Sequence, residues 1–370
     1  MEIPFHKPYL DQKEIDSAIN AIKSGWLTMG PKTIEFENSF SKYIGSEYSI
    51  STNSATAALH LALSVLGIKE GDEVIIPTNT FTSTAESIIY TGAKPVLCDI
   101  DYSTHNIDVA FIEKLITKRT KAIIPVHFGG YPCDMNEIKF LANKYNLYII
   151  EDAAHALPSF YYSKMIGTIS DITCFSFYAT KTLSTGEGGM LTTNNKDIAE
   201  KVKLKRLHGI SRDAWKRQDN DNDWFYEVVD LGYKYNLTDI HSLIGIEQLK
   251  KVDLMHQQRK KIASLYKQAL ASKIECITEL SEIQSSWHLF VIKVDNRNEL
   301  YKKLKENGIK TSVHFIPIHR HPFYKRTYSY IDTDYPVANK VYEESLSLPI
   351  YPGLNNNSIE YIINNILNYI

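Results

Sequence analysis

Residues 147–181 read LYIIEDAAHALPSFYYSKMIGTISDITCFSFYATK. The apolar run at the start of this stretch predicts a buried strand that ends at Asp152, and residues 172–177 predict a second strand. Lys181 follows the second strand in a loop. Because ligands of open parallel sheets bind beyond the carboxyl ends of the strands, we expect Asp152, Ser176 and Lys181 to face one crevice. The stretch therefore predicts an α/β fold and the position of its functional site.

The same alternation of strand and helix extends from residue 48 to residue 207. Further strands are predicted at 48–51, 74–76, 95–98 and 122–126, and helices after Asn53 or Ser54, at 82–91 and at 134–145. Apolar strands separated by helices are typical of a parallel sheet that is covered on both faces. Residues 189–193 follow strand 172–177 after only a loop, which predicts an antiparallel insertion.

The rest of the chain predicts a smaller second domain. Residues 211–223 are rich in charged residues and Asn, which predicts an exposed loop, and residues 239–270 predict one long helix. Beyond it we expect strand 287–294, helix 298–306, strand 311–315 and two C-terminal helices. A chain of 370 residues is too long for one small core. We therefore expect a large domain over 1–250 and a small α/β domain over 251–370.

Composition excludes several classes of protein. The net charge of −2 gives no basic surface for nucleic acid. The four cysteines are scattered without a C-x-x-C pair, which favours reduced thiols over a disulfide framework. The N-terminus lacks the charged and apolar regions of a signal peptide, and no apolar run approaches the ~18 residues of a membrane span. These features predict a cytoplasmic protein that contacts neither nucleic acid nor membrane.

The polar residues at the predicted strand ends match the requirements of pyridoxal phosphate (PLP). PLP needs a lysine amine for a Schiff base, a carboxylate against its ring nitrogen, a helix N-terminus for its phosphate and an aromatic cover. Lys181, Asp152, the helix start at 54–56 with Ser176, and Phe81 would fill these roles in turn. Each residue alone has a more common structural explanation, as a surface lysine, a helix cap or a core aromatic. Their joint order along a βα chain predicts the cofactor.

Short motifs occur in a fixed order along nearly the whole chain. They are SGWLTMGP (24–31), NSATAAL (53–59), GDEVI (71–75), EDAAHA (151–156), FSF (175–177), TGEGG (185–189), GYKYNLTD (232–239) and LSLP (346–349). With Lys181 between the last strand motif and TGEGG, this order resembles the DegT/DnrJ/EryC1/StrS family, the nucleotide-sugar aminotransferases of PLP fold type I. The resemblance implies a large domain with a mostly parallel central sheet between helices, and a smaller C-terminal α/β domain.

The resemblance also implies roles for single residues. Lys181 matches the Schiff-base lysine, Asp152 the partner of the ring nitrogen, and His155 the residue beside the phenolic oxygen. The matching cofactor contacts at the phosphate and ring face are Ser54, Ala55, Thr56, Ser176 and Phe81. The matching segments of the sugar-nucleotide site are Trp26, Leu27 and Thr28, together with the stretch that begins His314-Phe315.

One departure from the family concerns a dimer contact. The family is dimeric, and its loop corresponding to Gly232–Asp239 reaches the phosphate site of the partner subunit. Many members have Gly-Tyr-Asn-Tyr-Arg where this chain has Gly-Tyr-Lys-Tyr-Asn. The phosphate contact therefore falls either to Lys234, which could serve as a point charge, or to Asn236. We favour Lys234, and we expect a homodimer with shared active sites.

The function implied is a transfer of the amino group of L-glutamate to a nucleotide-linked keto sugar in two half-reactions. A 4-keto-6-deoxy sugar, amination at C4 and a role in surface polysaccharide or glycoconjugate synthesis are the favoured details. The alternatives are a PLP-dependent sugar dehydratase, which has histidine in place of Lys181, and a non-catalytic regulatory protein of the same fold. A zinc site at His314, His319 and His321 lacks a recognised ligand spacing, and no G-x-G-x-x-G follows a strand, as a NAD enzyme would need. No metal is expected.

Overall fold

A computed structural model describes residues 1–211, 226–277 and 279–370. The strands are β1 (Tyr48–Thr52), β2 (Glu73–Pro77), β3 (Lys94–Cys98), β4 (Thr120–Ile123), β5 (Tyr148–Asp152), β6 (Phe160–Tyr161), β7 (Lys164–Met165), β8 (Ile172–Ser176), β9 (Gly189–Thr193), β10 (Glu275–Cys276), β11 (Ile283–Gln284), β12 (Phe290–Lys293) and β13 (Ser345–Leu348). The helices are α1 (Gln12–Ser24), α2 (Pro31–Ile44), α3 (Ala55–Val65), α4 (Thr82–Ile89), α5 (Val109–Leu115), α6 (Met135–Tyr145), α7 (Lys196–Lys205), α8 (Asp239–Leu249), α9 (Val252–Leu270), α10 (Arg297–Glu306), α11 (Pro322–Tyr328), α12 (Pro336–Glu344) and α13 (Asn356–Tyr369). The predicted loop at 211–223 lies, apart from Ser211, outside the described residues.

The central sheet has the strand order β1-β9-β8-β5-β4-β2-β3. Neighbouring strands from β8 to β3 are parallel, whereas β9 is antiparallel to both β8 and β1. The structure thus confirms the mostly parallel sheet and the antiparallel strand predicted after 172–177. Asp152 lies opposite Cys174 in the register of β5 and β8, so the ends of these two strands are adjacent.

Successive side chains of the central strands point alternately to the two faces of the sheet, and each face has its own hydrophobic core. Ile150 and Cys174 pack with α3 and α4 on one face of the central sheet. Ile149 and Phe175 pack on the other face, where Phe175 contacts Phe40 of α2 with a distance of 5.3 Å between ring centroids. Because successive side chains of a strand point to opposite faces, Asp152 lies on the same face as Ile150, toward α3 and α4.

A second, antiparallel sheet of β10, β12 and β13 packs against α9, α10 and α13. Ile3 from the N-terminal segment joins this core and pairs with Ile309. Conversely, Ile318 and Val341 pack into the core on the α3 face of the central sheet. The N-terminal segment therefore packs into the core of the C-terminal sheet, and part of the C-terminal region packs into a core of the central sheet. The domain boundary at residue 250 stays a prediction. No helix of the described residues is long and apolar enough to cross a membrane.

Three local predictions are corrected by the structure. The helix predicted over 239–270 is broken into α8 and α9 at Lys251, whose ammonium turns toward α1 and forms ion pairs with Asp11 and Glu14 at 3.0 and 2.5 Å. The strand predicted at 311–315 is reduced to a single bridge between Ser312 and Ser347. The C-terminal region, predicted as helical, also contains β13, which is only four residues long.

Candidate active site

A cleft of about 560 Å³ lies between the carboxyl ends of the central strands and the C-terminal sheet. One wall is made by residues of the central sheet and its helices, and the other by the N-terminal segment and the C-terminal sheet. The lining residues that carry the argument below are Ser54, Ala55, Thr56, Phe81, Asp152, His155, Ser176 and Lys181 on the first wall, and His6, His288, His314 and Phe315 on the second. Most residues predicted from the sequence therefore meet in one cavity.

Lys181 is partly buried in the turn after β8, where its backbone N–H donates to the carbonyl of Tyr178 at 2.9 Å. Burial lowers the pKa of Lys181 to about 8, although the negative charge of Asp152 opposes the shift. Because desolvation disfavours the charged ammonium, a larger share of Lys181 is neutral at physiological pH than for a surface lysine. A neutral amine is the form that can act as nucleophile and base.

Asp152 is buried at the end of β5 with hydrogen bonds to both oxygens. The hydroxyl of Thr84 donates to Oδ2 at 2.8 Å, and the backbone N–H of Ala154 donates to Oδ1 at 3.2 Å. Burial raises the pKa of this carboxyl group, while the two hydrogen bonds and the charge of Lys181 lower it. Thr84 was not predicted from the sequence, because a threonine within a helix carries no local signal of a partner on a distant strand.

The first turn of α3 provides unoccupied hydrogen-bond donors. The hydroxyl of Ser54 accepts from the N–H of Ala57 at 3.1 Å, so Ser54 is the N-cap of this 11-residue helix. The N–H groups of Ala55 and Thr56 belong to the first turn, which has no intrahelical acceptor for them. Together with the partial positive charge of the helix N-terminus, they form a site suited to a phosphate group.

His155 and the aromatic side chains of Phe81 and Phe315 line the cleft. Nδ1 of His155 accepts from the N–H of Gly129 at 3.2 Å, so the neutral ring carries its proton on Nε2. Burial keeps the pKa of His155 well below its usual value, so the ring is neutral at physiological pH. Phe81 is 58% exposed, with its ring centroid 5.9 Å from that of Phe315. An exposed aromatic ring at a cleft is available to stack on a flat ligand.

The residues predicted from the sequence near the substrate divide into two groups. His314 and Phe315 line the cleft, as predicted. Trp26 and the two residues after it instead precede α2, where Nε1 of Trp26 donates to the carbonyl of Met29 at 3.1 Å and the Thr28 carbonyl accepts from Asp239 N–H. They lie outside the set of residues that line this chain's own cleft.

Lys234 also lies outside the lining of the cleft. Its side chain is exposed, and its carbonyl accepts from Nδ2 of Asn53 at 3.4 Å. Asn236, in contrast, is buried and uses its side-chain amide to donate to the carbonyl of Leu237 at 3.2 Å. Of the two candidates for a contact with a partner subunit, Lys234 has the exposed side chain and Asn236 the buried one.

The three histidines considered for zinc have different hydrogen-bond partners, and Nε2 of His321 lies 3.2 Å from the carbonyl oxygen of Ile316. Nδ1 of His314 contacts the hydroxyl of Ser347 at 2.9 Å. Both ring nitrogens of His319 are engaged, by Thr78 at 2.7 Å and by Asn339 at 3.0 Å. His319 therefore anchors the segment that carries His314 to the end of β2.

The donors and charges of the first wall fit PLP as a group. Asp152 is a buried carboxylate that can face a protonated ring nitrogen, and Lys181 is an amine with a lowered pKa in the same cavity. The α3 N-terminus and Ser176 can take the phosphate. His6 and His288, on the opposite wall, were not predicted from the sequence, since neither belongs to a recognisable motif.

Comparison with known proteins places the chain among aminotransferases. It matches the DegT/DnrJ/EryC1/StrS aminotransferase family over residues 8–367. It is 44% identical over 370 residues to the spore coat polysaccharide biosynthesis protein SpsC of Bacillus subtilis, which covers 98% of this chain and 95% of that protein. It is 38% identical over 376 residues to the UDP-4-amino-4-deoxy-L-arabinose–oxoglutarate aminotransferase of Shewanella sediminis, with 98% and 96% covered.

Solved structures show the same fold. The putative sugar aminotransferase Spr1654 from Streptococcus pneumoniae, in its PMP-form, superimposes with a TM-score of 0.93 at 34% identity over 98% of both chains. The PLP-form of that protein gives a TM-score of 0.91 at 33% identity. These similarities confirm the predicted fold class and cofactor, and the chain belongs to the DegT/DnrJ/EryC1/StrS aminotransferase family and uses pyridoxal phosphate.

Proposed function

We propose that this enzyme transfers the amino group of L-glutamate to the keto group of a nucleotide-linked sugar. The observation that carries the proposal is the convergence of Lys181, Asp152 and the free N-terminus of α3 on one cleft. The names of the relatives support it, because one is an aminotransferase of a UDP-linked amino sugar with oxoglutarate and another acts in polysaccharide biosynthesis. We infer a product destined for surface polysaccharide or glycoconjugate.

Four groups of this chain would hold the cofactor. Asp152 would face the ring nitrogen, Lys181 would form the covalent link, and the first turn of α3 with Ser176 would bind the phosphate. When bound, PLP supplies the electron sink that stabilises negative charge on the carbon bearing the amino group. Phe81 would cover one face of the ring, and Nε2–H of His155 would donate to its phenolic oxygen.

Lys181 would carry protons in both half-reactions. In the first, its Nζ would accept the proton from Cα of L-glutamate; the amino group would stay on the cofactor, and water would supply the keto oxygen of the departing 2-oxoglutarate. In the second, Nζ would return a proton to the sugar carbon that receives the amine, and the keto oxygen of the sugar would leave as water. The lowered pKa suits both roles, because a base with a pKa near the working pH gains and loses protons readily. A histidine at this position would mark the dehydratase alternative, so Lys181 favours amino transfer.

We propose a homodimer in which Trp26, Leu27, Thr28 and Lys234 complete the partner's site. Two features support this arrangement: these residues lie outside the lining of their own chain's cleft, and Lys234 is exposed. We place the sugar between these residues and His314-Phe315, at the mouth of the cleft. Cofactor phosphate would attract the Lys234 ammonium as a point charge.

A product assay tests the proposal. Purified holoenzyme is incubated with L-glutamate and a panel of 3-keto and 4-keto sugar nucleotides, and products are analysed by mass spectrometry. We expect an amino sugar from a 4-keto substrate, together with 2-oxoglutarate. Amination of 3-keto sugars alone would overturn the assignment to C4, and release of water without amination would favour the dehydratase.

A further inference from the structure

His288 is a buried histidine whose ring nitrogen Nδ1 has no hydrogen-bond partner among the described residues. It is 7% exposed, it lines the cleft, and its Nδ1 is buried without a donor or acceptor among the described residues. Its ring lies 4.4 Å from that of His155, measured between centroids. Buried polar groups are hydrogen-bonded in the great majority of cases, so a buried imidazole nitrogen without a partner, in a residue that lines a cleft, points to a ligand.

Arg259 lies directly behind His288. This residue of α9 is 1% exposed, and its Nη1 donates to the carbonyls of Ile350 at 2.8 Å, Trp287 at 3.3 Å and His288 at 3.4 Å. His288 and Ile350 both line the cleft, so the guanidinium is separated from it by one layer of residues.

In the described part of the chain the hydrogen-bond partners of the Arg259 guanidinium are carbonyl oxygens, and no acidic side chain forms an ion pair with it. Burial lowers its pKa to about 9, so the group remains charged at neutral pH. A buried charge without a partner is unfavourable, and an anion bound on the other side of His288 would compensate it.

We propose that His288, backed by the charge of Arg259, forms the binding site for a carboxylate group of the amino-group donor. This inference rests on the proposed function and names the part of the cleft that recognises its first substrate. His288 would contact the carboxylate directly, and Arg259 would act as a positioning residue through the carbonyl of His288 and through its electric field.

The position of His288 favours a carboxylate over the diphosphate of a sugar nucleotide. His288 lines the same cleft as Lys181, and its ring packs against that of His155. In an α-amino acid the carboxylate is bonded to the same carbon that carries the reacting amine, so it must lie close to Lys181. In a sugar nucleotide the ring separates the reacting C4 from the diphosphate at C1, which must extend toward the mouth.

Separate half-reactions test this assignment. Holoenzyme is mixed with L-glutamate and the change in cofactor absorbance gives an apparent Kd; the aminated enzyme is then mixed with the keto sugar nucleotide. His288→Phe keeps the ring contact with His155 but removes both nitrogens. We expect the Kd for glutamate to rise roughly 10- to 100-fold, as for a lost hydrogen bond to a charged group, with the sugar half-reaction unchanged.

Matched variants separate recognition from folding. His288→Gln restores one hydrogen-bond donor and should recover part of the affinity, whereas His321→Phe changes a histidine outside the cleft and should leave both half-reactions unaltered. Arg259→Met should weaken glutamate binding and Arg259→Lys should partly restore it. If Arg259→Met does not fold, the pair of His288 variants still decides the question.

The outcomes distinguish this inference from the proposed function. A wild-type holoenzyme that does not react with L-glutamate would overturn the proposed function and this inference with it. A wild type that reacts, with His288→Phe binding glutamate as tightly, would overturn this inference alone. A weaker sugar half-reaction with an unchanged donor half-reaction would assign His288 to the sugar nucleotide and refute the carboxylate site.

Discussion

At the scale of single residues, the lowered pKa of Lys181 determines when its amine can react. Only the neutral amine attacks an aldehyde, so the rate at which apoenzyme recovers bound PLP should rise as pH increases through about 8. The rate of PLP binding is measured from the absorbance of the bound cofactor after rapid mixing. A midpoint near 10.5, the value of an unperturbed lysine, would contradict the shift. In Asp152→Asn, the midpoint should fall further, because the carboxylate charge raises the pKa of Lys181.

Removal of the Lys181 amine provides the second test at this scale. Lys181→Ala should abolish amino transfer and leave the Tm of the apoprotein close to that of the wild type, because the side chain fills no part of a hydrophobic core. In the wild type, borohydride should fix PLP covalently on Lys181, detected by peptide mass spectrometry. Normal turnover by the variant, or label on another lysine, would refute the catalytic role.

Thr84 shows what sequence reasoning misses at this scale. Its hydroxyl lowers the pKa of Asp152, so Thr84→Val should raise that pKa and reduce kcat/KM by roughly tenfold, the effect of one hydrogen bond to a charged group. Thr91→Val is the control, because it removes a hydroxyl that donates to the Ile88 carbonyl and accepts from the Ala93 N–H, away from Asp152. Equal kcat/KM values for both variants would show that the Thr84 hydroxyl does not tune Asp152. Lys181 and Asp152 were predictable because Asp152 ends one strand and Lys181 follows another, whereas Thr84 reaches Asp152 only through the sheet order.

At the scale of elements, Gly189 of β9 allows the close approach of the α3 N-terminus. A Cβ atom at Gly189 would lie 2.5 Å from the carbonyl carbon of Ser54 and 2.7 Å from the nitrogen of Ala55, so the backbone would have to move. Gly189→Ala should therefore raise the Kd for PLP by roughly tenfold, since hydrogen bonds to a charged phosphate are lost. Gly186→Ala is the control, because it strains a left-handed turn but meets no atom within 4 Å. Equal cofactor affinity in both variants would refute the role of Gly189.

The strands of the central sheet could be predicted from the sequence, whereas several helices and strands of the C-terminal part could not. The strands that end at Asp152 and Ser176 are buried over most of their length and are rich in apolar residues, which gives a strong local signal. The break at Lys251 has no glycine or proline to mark it, and the ion pairs of Lys251 are with Asp11 and Glu14, some 240 residues earlier. The strand predicted at 311–315 fails because the chain pairs with β13 at Ser312 only and then continues to the anchor at His319.

At the scale of the whole molecule, the proposed sharing of active sites between two subunits can be tested with mixed dimers. Lys234→Ala should weaken PLP binding, and Lys181→Ala should be inactive. In a mixed dimer of the two variants, one site combines an intact Lys181 with an intact Lys234 from the other chain, so activity at limiting PLP should exceed that of either homodimer. A mixture of Lys42→Ala with Lys181→Ala provides the reference. Activity equal to the average of the homodimers would show that Lys234 does not act across subunits.

The two walls of the cleft come from separate parts of the chain. Residues between Ser54 and Gly188 supply the wall proposed to hold the cofactor, whereas Phe5-His6, His288-Leu289, Ser312–Phe315 and Ile350 supply the other. Residues of the proposed cofactor wall and residues of the opposite wall can therefore be substituted independently of each other. Mutations in the second set can change which amino acid or sugar is accepted while the machinery of amino transfer persists. A directed-evolution library confined to those positions should yield variants that remain yellow and differ in their products.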